Sequence, residues 1–235
     1  MSDRPILFSG PMVRALLEGR KTQTRRVMKL PAVPGRGAWE ASTVGGPGVT
    51  DRAGRPYSET PCVWHTRTGQ CVAPGYAPCD LLYVREEHRS LGLLADGQPR
   101  TVRVQYDADA GEMIGQWPSR CRLPTFNARR PGMHLPSEFS RLTLRVTEVR
   151  VQRLQEISEE DAKAEGAEFD SEPCDHARRT CAEIGCAGTG YRGGFAALWQ
   201  SLNAKRGFGW DVNPWVVAVS FHVIAGNIEA VKARP

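Results

Sequence analysis

The 235-residue sequence has no stretch that approaches the roughly 18 consecutive apolar residues a membrane-spanning helix needs. Its first residues, MSDRPILFSGPMVRALL, lack the small-residue cleavage site of a secretory leader. A soluble protein of the cytoplasm, with no membrane partner, is the expectation. Lysine is scarce, five residues against 26 arginines. Arginine is the better fork for phosphate and carboxylate, but genomic base composition produces the same bias, so the ratio says little beyond making each lysine worth following. Cysteine is present seven times without any CxxC pair, and an odd number excludes a complete disulfide framework, which leaves mostly reduced thiols. A mean hydropathy of -0.41 with 40% hydrophobic residues gives an adequate core, though not a lavish one, and excludes disorder throughout.

What the chain does have is loop-forming residues and charge in blocks. The 24 glycines and 17 prolines are more than average usage, and ten of them fall between residues 31 and 56. That segment reads as a long loop or insertion without regular structure. The net charge of +5 is uneven: residues 1–30 carry seven basic side chains against Asp3 and Glu18. Residues 120–154 carry eight arginines against two glutamates, and residues 156–172 carry eight acids against Lys163 alone. An anion-binding face beside a solvated acidic helix would show this segregation, and so would a bland solubility pattern.

Ser9 or Gly10 can cap a helix with Pro11 in its first turn, and Gly19 is placed to end it. TQTRRVM (22–28) then alternates with the period of a strand, polar on both faces, so one face is expected to line a polar pocket. Further strands are predicted at 81–86, 101–106, 142–154 and 214–221, with a bulge or twist between Val146 and Val149. Ser158 with Glu159, Glu160 and Asp161 marks a helix start that Gly166 stops, and 195–202 is a second short helix. Residues 226–235 look like a frayed tail. The class is α+β, mainly β: a small mixed barrel with short peripheral helices and long loop insertions.

The pieces GRKTQTRR (19–26), PCDLLYVRE (78–86), RPGMHLPSEFSRLTLRVTEVRVQRLQEISEEDAKAEG (130–166), FAALWQSLN (195–203) and GWDVNPWVVAVSF (209–221) together resemble the ASCH family of PUA-like proteins, in its longer phage and prophage form. The resemblance implies one PUA-like β-barrel domain over 1–225, with insertions at 31–70 and 167–194 outside it. It also implies a cleft of nucleobase size and a nucleoside or nucleic-acid partner, RNA ahead of DNA, bound by a monomer. One small family member is an amidohydrolase that removes the acetyl group from the exocyclic amine of acetylcytidine, and another acts as a ribonuclease. Residue by residue, the amidohydrolase pattern puts its catalytic lysine on Lys21, its threonine nucleophile on Thr24 and its carboxylate on Glu165, with no cofactor required for catalysis. The chain departs from the family in having Cys79 where PGD is usual and in being more than twice the length of the small enzyme.

Amide hydrolysis needs a nucleophile, a proton acceptor and a donor to the leaving amine, and these three residues can supply them. Burial and the flanking Arg20, Arg25 and Arg26 should lower the affinity of Lys21 for its proton, and Arg26 or a backbone N–H could hold the oxyanion. Because positions 21 and 24 of a flat strand face opposite ways, Lys21 has to precede the strand. A Gly-Arg-Lys-Thr turn can equally cradle a phosphate with no catalysis, which leaves a binding module or a ribonuclease as alternatives. Arg20, Thr22, Arg26, Arg85, Glu86 and Trp210 are the candidate substrate contacts. Glu86 would accept from a base amino group or form a strand-end ion pair, and Trp210, in a glycine-rich loop, is freer to stack on a base than Trp199 or Trp215. Cys174, His176, Cys181 and Cys186 are enough ligands for one structural zinc ion; Cys62, His65, Cys71 and Cys79 are a looser set. Incidental thiols are the alternative for both.

Overall fold

A computed structural model describes residues 3–50, 52–94, 98, 100–172, 174 and 186–233. The architecture is mixed α+β and mainly sheet. The strands are β1 (Asp3–Leu7), β2 (Gln23–Val27), β3 (Trp39–Val44), β4 (Thr60–His65), β5 (Cys71–Val72), β6 (Leu81–Arg85), β7 (His88–Leu93), β8 (Thr101–Tyr106), β9 (Glu112–Gln116), β10 (Arg129–Arg130), β11 (Leu142–Arg153) and β12 (Trp215–Ala225). Four α-helices lie among the described residues: α1 (Gly10–Leu17), α2 (Glu159–Ala164), α3 (Gly190–Asn203) and α4 (Ile228–Lys232). Among these residues the strands form three sheets, of orders β1-β6-β11-β12-β2, β10-β7-β8-β9 and β3-β4-β5, and no closed barrel is found.

The chain divides into two compact units. The first is residues 1–22, 78–147 and 221–235. Here β1 pairs parallel with β6, and β6 antiparallel with the first residues of β11 (Thr143 opposite Tyr83). Helix α1 starts at Ser9, carries proline in its first turn and turns at Gly19 with φ of +72°, as the sequence indicates. It buries Val13, Ala15 and Leu16. Val102, Val104 and Tyr106 of β8 pack with Trp117, Leu135 and Phe139. Within 226–235, expected to be a frayed tail, Ile228–Lys232 form α4: Asn227 caps it by accepting from the Ala230 N–H at 2.8 Å, and Ile228 and Val231 bury against Leu81. Two apolar residues one helical turn apart were enough to dock it.

The second unit is residues 23–77 and 148–220. The stretch 31–56, expected to lack regular structure, contains β3, which pairs antiparallel with β4 from Trp39↔His65 to Val44↔Thr60. Glycine and proline crowd the turns around these strands, while WEASTV and TPCVWH supply the β-branched and aromatic residues that suit a sheet. Ser158 caps α2 by accepting from Asp161 N–H at 3.0 Å, and the three acids of its first turn face the positive end of the helix dipole. Helix α3 begins earlier than its apolar pattern predicts and buries Phe195, Ala196 and Trp199 against Leu154, Ile157, Ala162, Ala167, Trp210 and Val216.

Glycine at position 194 is required by close approach of backbone. A Cβ built there would stand 1.9 Å from the carbonyl oxygen of Glu168. Helix propensity alone would make Gly194→Ala stabilising by about 1 kcal/mol, whereas overpacking costs about 1–3 kcal/mol or more. Gly194→Ala is therefore expected to lower the denaturation midpoint; a raised midpoint by chemical denaturation would show that the Glu168 backbone gives way freely.

Candidate functional site

Strand β2 is at the end of the five-stranded order and pairs with β12 from Gln23↔Ser220 to Val27↔Val216. Gln23, Thr24 and Arg25 are nevertheless all buried, although successive side chains point to opposite faces. The polar character of both faces, legible in the sequence, thus corresponds to covered polar groups on both.

The Gln23 and Arg25 face meets α2. The Arg25 side chain has no exposed surface. It donates to Asp161 Oδ2 at 2.7 Å, to Glu165 Oε1 at 3.2 Å and to Gln23 Oε1. Gln23 in turn donates to Asp161 Oδ1 and Ser220 Oγ, each at 3.1 Å. Arg150, from β11, donates to both Asp161 oxygens at 3.0 Å. Of the Arg25 nitrogens, Nε has no hydrogen-bond partner among the described residues, and the guanidinium lies 5.9 Å from the centre of the Phe195 ring. Burial pushes the Asp161 carboxyl up, but its bonds to Arg150 and Arg25 prevail and hold it below the usual carboxylate range.

Thr24 and Arg26 lie on the other face. Burial lowers the Arg26 guanidinium from its ordinary value; the Tyr76 phenol and Glu165 act in the opposite direction, and the like charge of Arg206 adds to the lowering. Glu165, the residue that closes α2 before Gly166 turns with φ of +77°, is thus bonded to Arg25 and also acts on Arg26. Thr24 and Glu165 are each 4% exposed.

The remaining candidates divide between the units. Lys21 belongs to the first, directly before β2 begins as the sequence requires. It is 1% exposed, with its ammonium 5.6 Å from the Phe8 ring centre and its N–H donating to Ala15 O at 3.0 Å. Arg20 is exposed and bonded to Glu18 at 2.7 Å; Thr22 is exposed. Arg85 donates to the Met133 carbonyl and to the Tyr83 hydroxyl. Glu86 is 1% exposed and takes two bonds of 2.8 Å from Arg141, which also holds Asp109 at 2.8 Å and stacks 4.1 Å from the Tyr106 ring centre. Of its two sequence readings, the geometry is that of the ion pair. Burial pushes the Glu86 carboxyl up and Arg141 works against that shift.

Trp210 needs a correction. It is 6% exposed, packed edge-on to Phe195 with Arg192 over its other side at 5.2 Å, and so is not free to stack on a base. A ring this large gains more by joining the Leu154–Trp199 cluster than a glycine-rich loop would suggest. The looser cysteine set lies wholly among the described residues. Cys62 bonds to Cys71, and burial first and then that neighbour push its thiol up to about 12, while His65 packs on Trp39 and meets Thr68. Of the tighter set, Cys174 and Cys186 are described and His176 and Cys181 lie outside the described residues. Among the described residues no three His, Cys, Asp or Glu side chains stand together as a metal site.

Sequence reasoning missed Asp161 and Arg150, which it read as a helix-start acid and one member of a basic run, and it missed Tyr76 and Arg206 altogether. The Gln23-x-Arg25 alternation opposite an acidic helix was the available signal. A cleft of about 430 Å³ lies elsewhere, at Gly46–Thr50 and Pro56–Glu59, and among these described residues Glu59 alone is charged. A scan against protein-family models, a search of curated proteins and a search of solved structures each return no match.

The Asp161 carboxyl gives a pH test. A folded-state value below the unfolded one contributes stability that is present above the unfolded value of about 4 and is lost as pH falls through the depressed folded value. Asp161→Asn is expected to lower stability at neutral pH and to flatten the acid limb of the stability-pH curve, read by denaturant titration. An acid limb as steep as the parent's would remove Asp161 from that role.

Proposed function

We propose that the protein is an ASCH-type module that recognises a nucleobase at the Thr24–Glu165 site and hydrolyses an acyl group from the base's exocyclic amine. The observation that carries this reading is the position of Glu165. Its carboxylate lies 3.2 Å from Arg25 on one face of β2 and also acts on Arg26, which shares the other face with Thr24, and both Thr24 and Glu165 are 4% exposed. Polar side chains are rarely covered to this extent without a partner or a use. A PUA-like barrel is part of the same reading and rests on the family resemblance.

In this mechanism the Thr24 hydroxyl oxygen attacks the acyl carbon. Its proton goes to Lys21, the role the family resemblance gives that residue, and the carbonyl π electrons move to oxygen, with Arg26 as the cation for the oxyanion. The C–N bond then breaks and the amine leaves with a proton from Glu165. Water attacks the acyl-threonine ester and gives a proton to Glu165, and the Thr24 oxygen leaves with the proton held by Lys21, which releases the acid and restores all three groups.

Arg26 and Arg206 favour a second reading. They act on one another as like charges, and two cations held so are an arrangement that an anion would relieve. A phosphate-bearing strand could bind there without being cut.

Turnover of acetylcytidine separates the two. The parent is expected to release cytidine, and Thr24→Ala, Lys21→Ala and Glu165→Gln each to lower kcat by about 10²–10⁴-fold. Activity that survives the Thr24 and Lys21 changes sinks the mechanism. No turnover by the parent, together with oligonucleotide binding that weakens steeply with salt, supports the binding module instead.

A further inference from the structure

Directly opposite residues of an antiparallel pair share a face of the sheet. Between β2 and β12 the register puts Thr24 opposite Val219 and Arg26 opposite Val217, and the Met28 N–H donates to Trp215 O at 2.9 Å, which carries the same register to Trp215. Trp215 therefore stands on the Thr24 and Arg26 face, while Val216, Ala218 and Ser220 share the face of Gln23 and Arg25. Successive positions on one face of a strand are about 7 Å apart. Exposure rises along this face: Thr24 is 4% exposed, and Arg26 and Trp215 are half-buried. A substrate whose acyl carbon reaches Thr24 has its planar ring at the next position, beside Arg26 and within reach of an indole at position 215.

Trp215 differs from the tryptophans of the apolar clusters. Trp117 and Trp199 are 3% and 5% exposed, and each donates its indole N–H to a backbone carbonyl, of Arg122 at 3.0 Å and of Phe208 at 2.8 Å. Trp215 is only half-buried, and its covered Nε1 has no hydrogen-bond partner among the described residues. A tryptophan kept for packing usually finds a partner for that N–H. The ring carries a cation instead: the Arg153 guanidinium lies 4.6 Å from the ring centre and donates to the Asn213 carbonyl at 3.1 Å. The Arg153 backbone N–H is held in turn by Glu156 Oε2 at 2.9 Å. With Arg153 on one face, the accessible part of the indole is a flat surface whose orientation is already set, and every nucleobase has a π face that can stack on such a surface. The glycine-rich setting of Trp210 favours it over Trp215 for this role in the sequence; burial reverses that order, because Trp210 is 6% exposed.

We propose that Trp215, held by Arg153, is the stacking platform for the planar base of the substrate, which lies along β2 with its acyl group directed past Arg26 to Thr24. Trp215 binds and orients the base, and Arg153 acts through Trp215 as a positioning residue. The direction of the substrate rests on the acyl-base reading of the Thr24 site, whereas the platform itself requires only a base.

Cytidine titration of the full chain and acetylcytidine turnover test the two parts separately. Cytidine is expected to quench the tryptophan fluorescence of the parent, and Trp215→Leu to lose that quench. In turnover, Trp215→Leu is expected to raise KM about 5- to 150-fold with kcat changed less than about threefold, Trp215→Phe to restore most of the lost KM, and Arg153→Gln to raise KM by less than Trp215→Leu does. A working enzyme in which the Trp215→Leu KM stays within about twofold of the parent's overturns the platform and leaves the Thr24 mechanism standing. A parent that shows the Trp215-dependent quench but no turnover keeps the platform and removes the hydrolysis. A parent whose fluorescence cytidine leaves unchanged overturns the platform outright. Should Trp215→Leu fail to fold, Trp215→Phe decides: loss of the quench with KM within about threefold of the parent's supports the platform, and a retained quench overturns it.

Discussion

The guanidinium of Arg25 has no contact with solvent, and much of the second unit is arranged to make that tolerable. Removing such an ion from water costs several kcal/mol even after relaxation, so its charge has to be met where it lies. Asp161 meets it from the first turn of one short helix and Glu165 from that helix's C-terminal end, and Gln23 meets it from its own strand. The result ties α2 to β2 by charge as well as by the apolar contacts of Ala162. It also fixes which way β2 faces. With positions 23 and 25 committed to α2, positions 24 and 26 must turn the other way, and that is the face on which Arg26, Tyr76 and Arg206 interact.

The first unit contains a second buried arginine–carboxylate group, Arg141 with Glu86 and Asp109, and the contrast between the two is informative. Arg141 has two carboxylates and lies against the Tyr106 ring, and its guanidinium is held above its ordinary value because those bonds outweigh burial. Tyr106 closes the arrangement by donating to the Phe139 carbonyl at 2.7 Å. Every strong group there has a partner within the unit, which is the signature of a structural ion pair. On β2 the balance is different. Burial dominates at Arg26, a like charge adds to it, and the carboxylate that offsets it is shared with Arg25.

Local chemistry made part of this legible from sequence. Ser9, Pro11 and Gly19 around α1, Ser158 and Gly166 around α2, and the alternation of Leu142 to Val151 act through neighbours in the chain, so their pattern is their structure. The phase change after Val146 was readable for the same reason: Thr147 and Glu148 are both exposed before Val149 returns to the core. What was not readable depends on distant partners. Nothing near Trp210 reveals that Phe195 and Leu154 will cover it, and nothing near residue 161 reveals an arginine 136 positions away. The strands β3 and β4 were hidden by composition, because glycine and proline in the connecting turns diluted the two six-residue segments that pair.

For the candidate site, the residue types were legible and their partners were not. Lysine, threonine and glutamate at positions 21, 24 and 165 were named from the family resemblance, and all three are buried. A solvated helix carboxylate, the ordinary fate of an acid in so acidic a segment, would have left Glu165 at the surface beside Glu159 and Glu160. Instead the helix ends at that residue, Gly166 turns the chain away, and the carboxylate is delivered to β2. Neither helix propensity nor solubility accounts for a chain that spends a glycine turn and a buried arginine on placing one carboxylate. Either folding specificity or chemistry at position 24 does, and the two differ in what they demand of the other face. An ion pair kept for folding alone needs nothing there, whereas the proposed acyl-base site needs a nucleophile and a cation side by side, the roles the proposal gives Thr24 and Arg26.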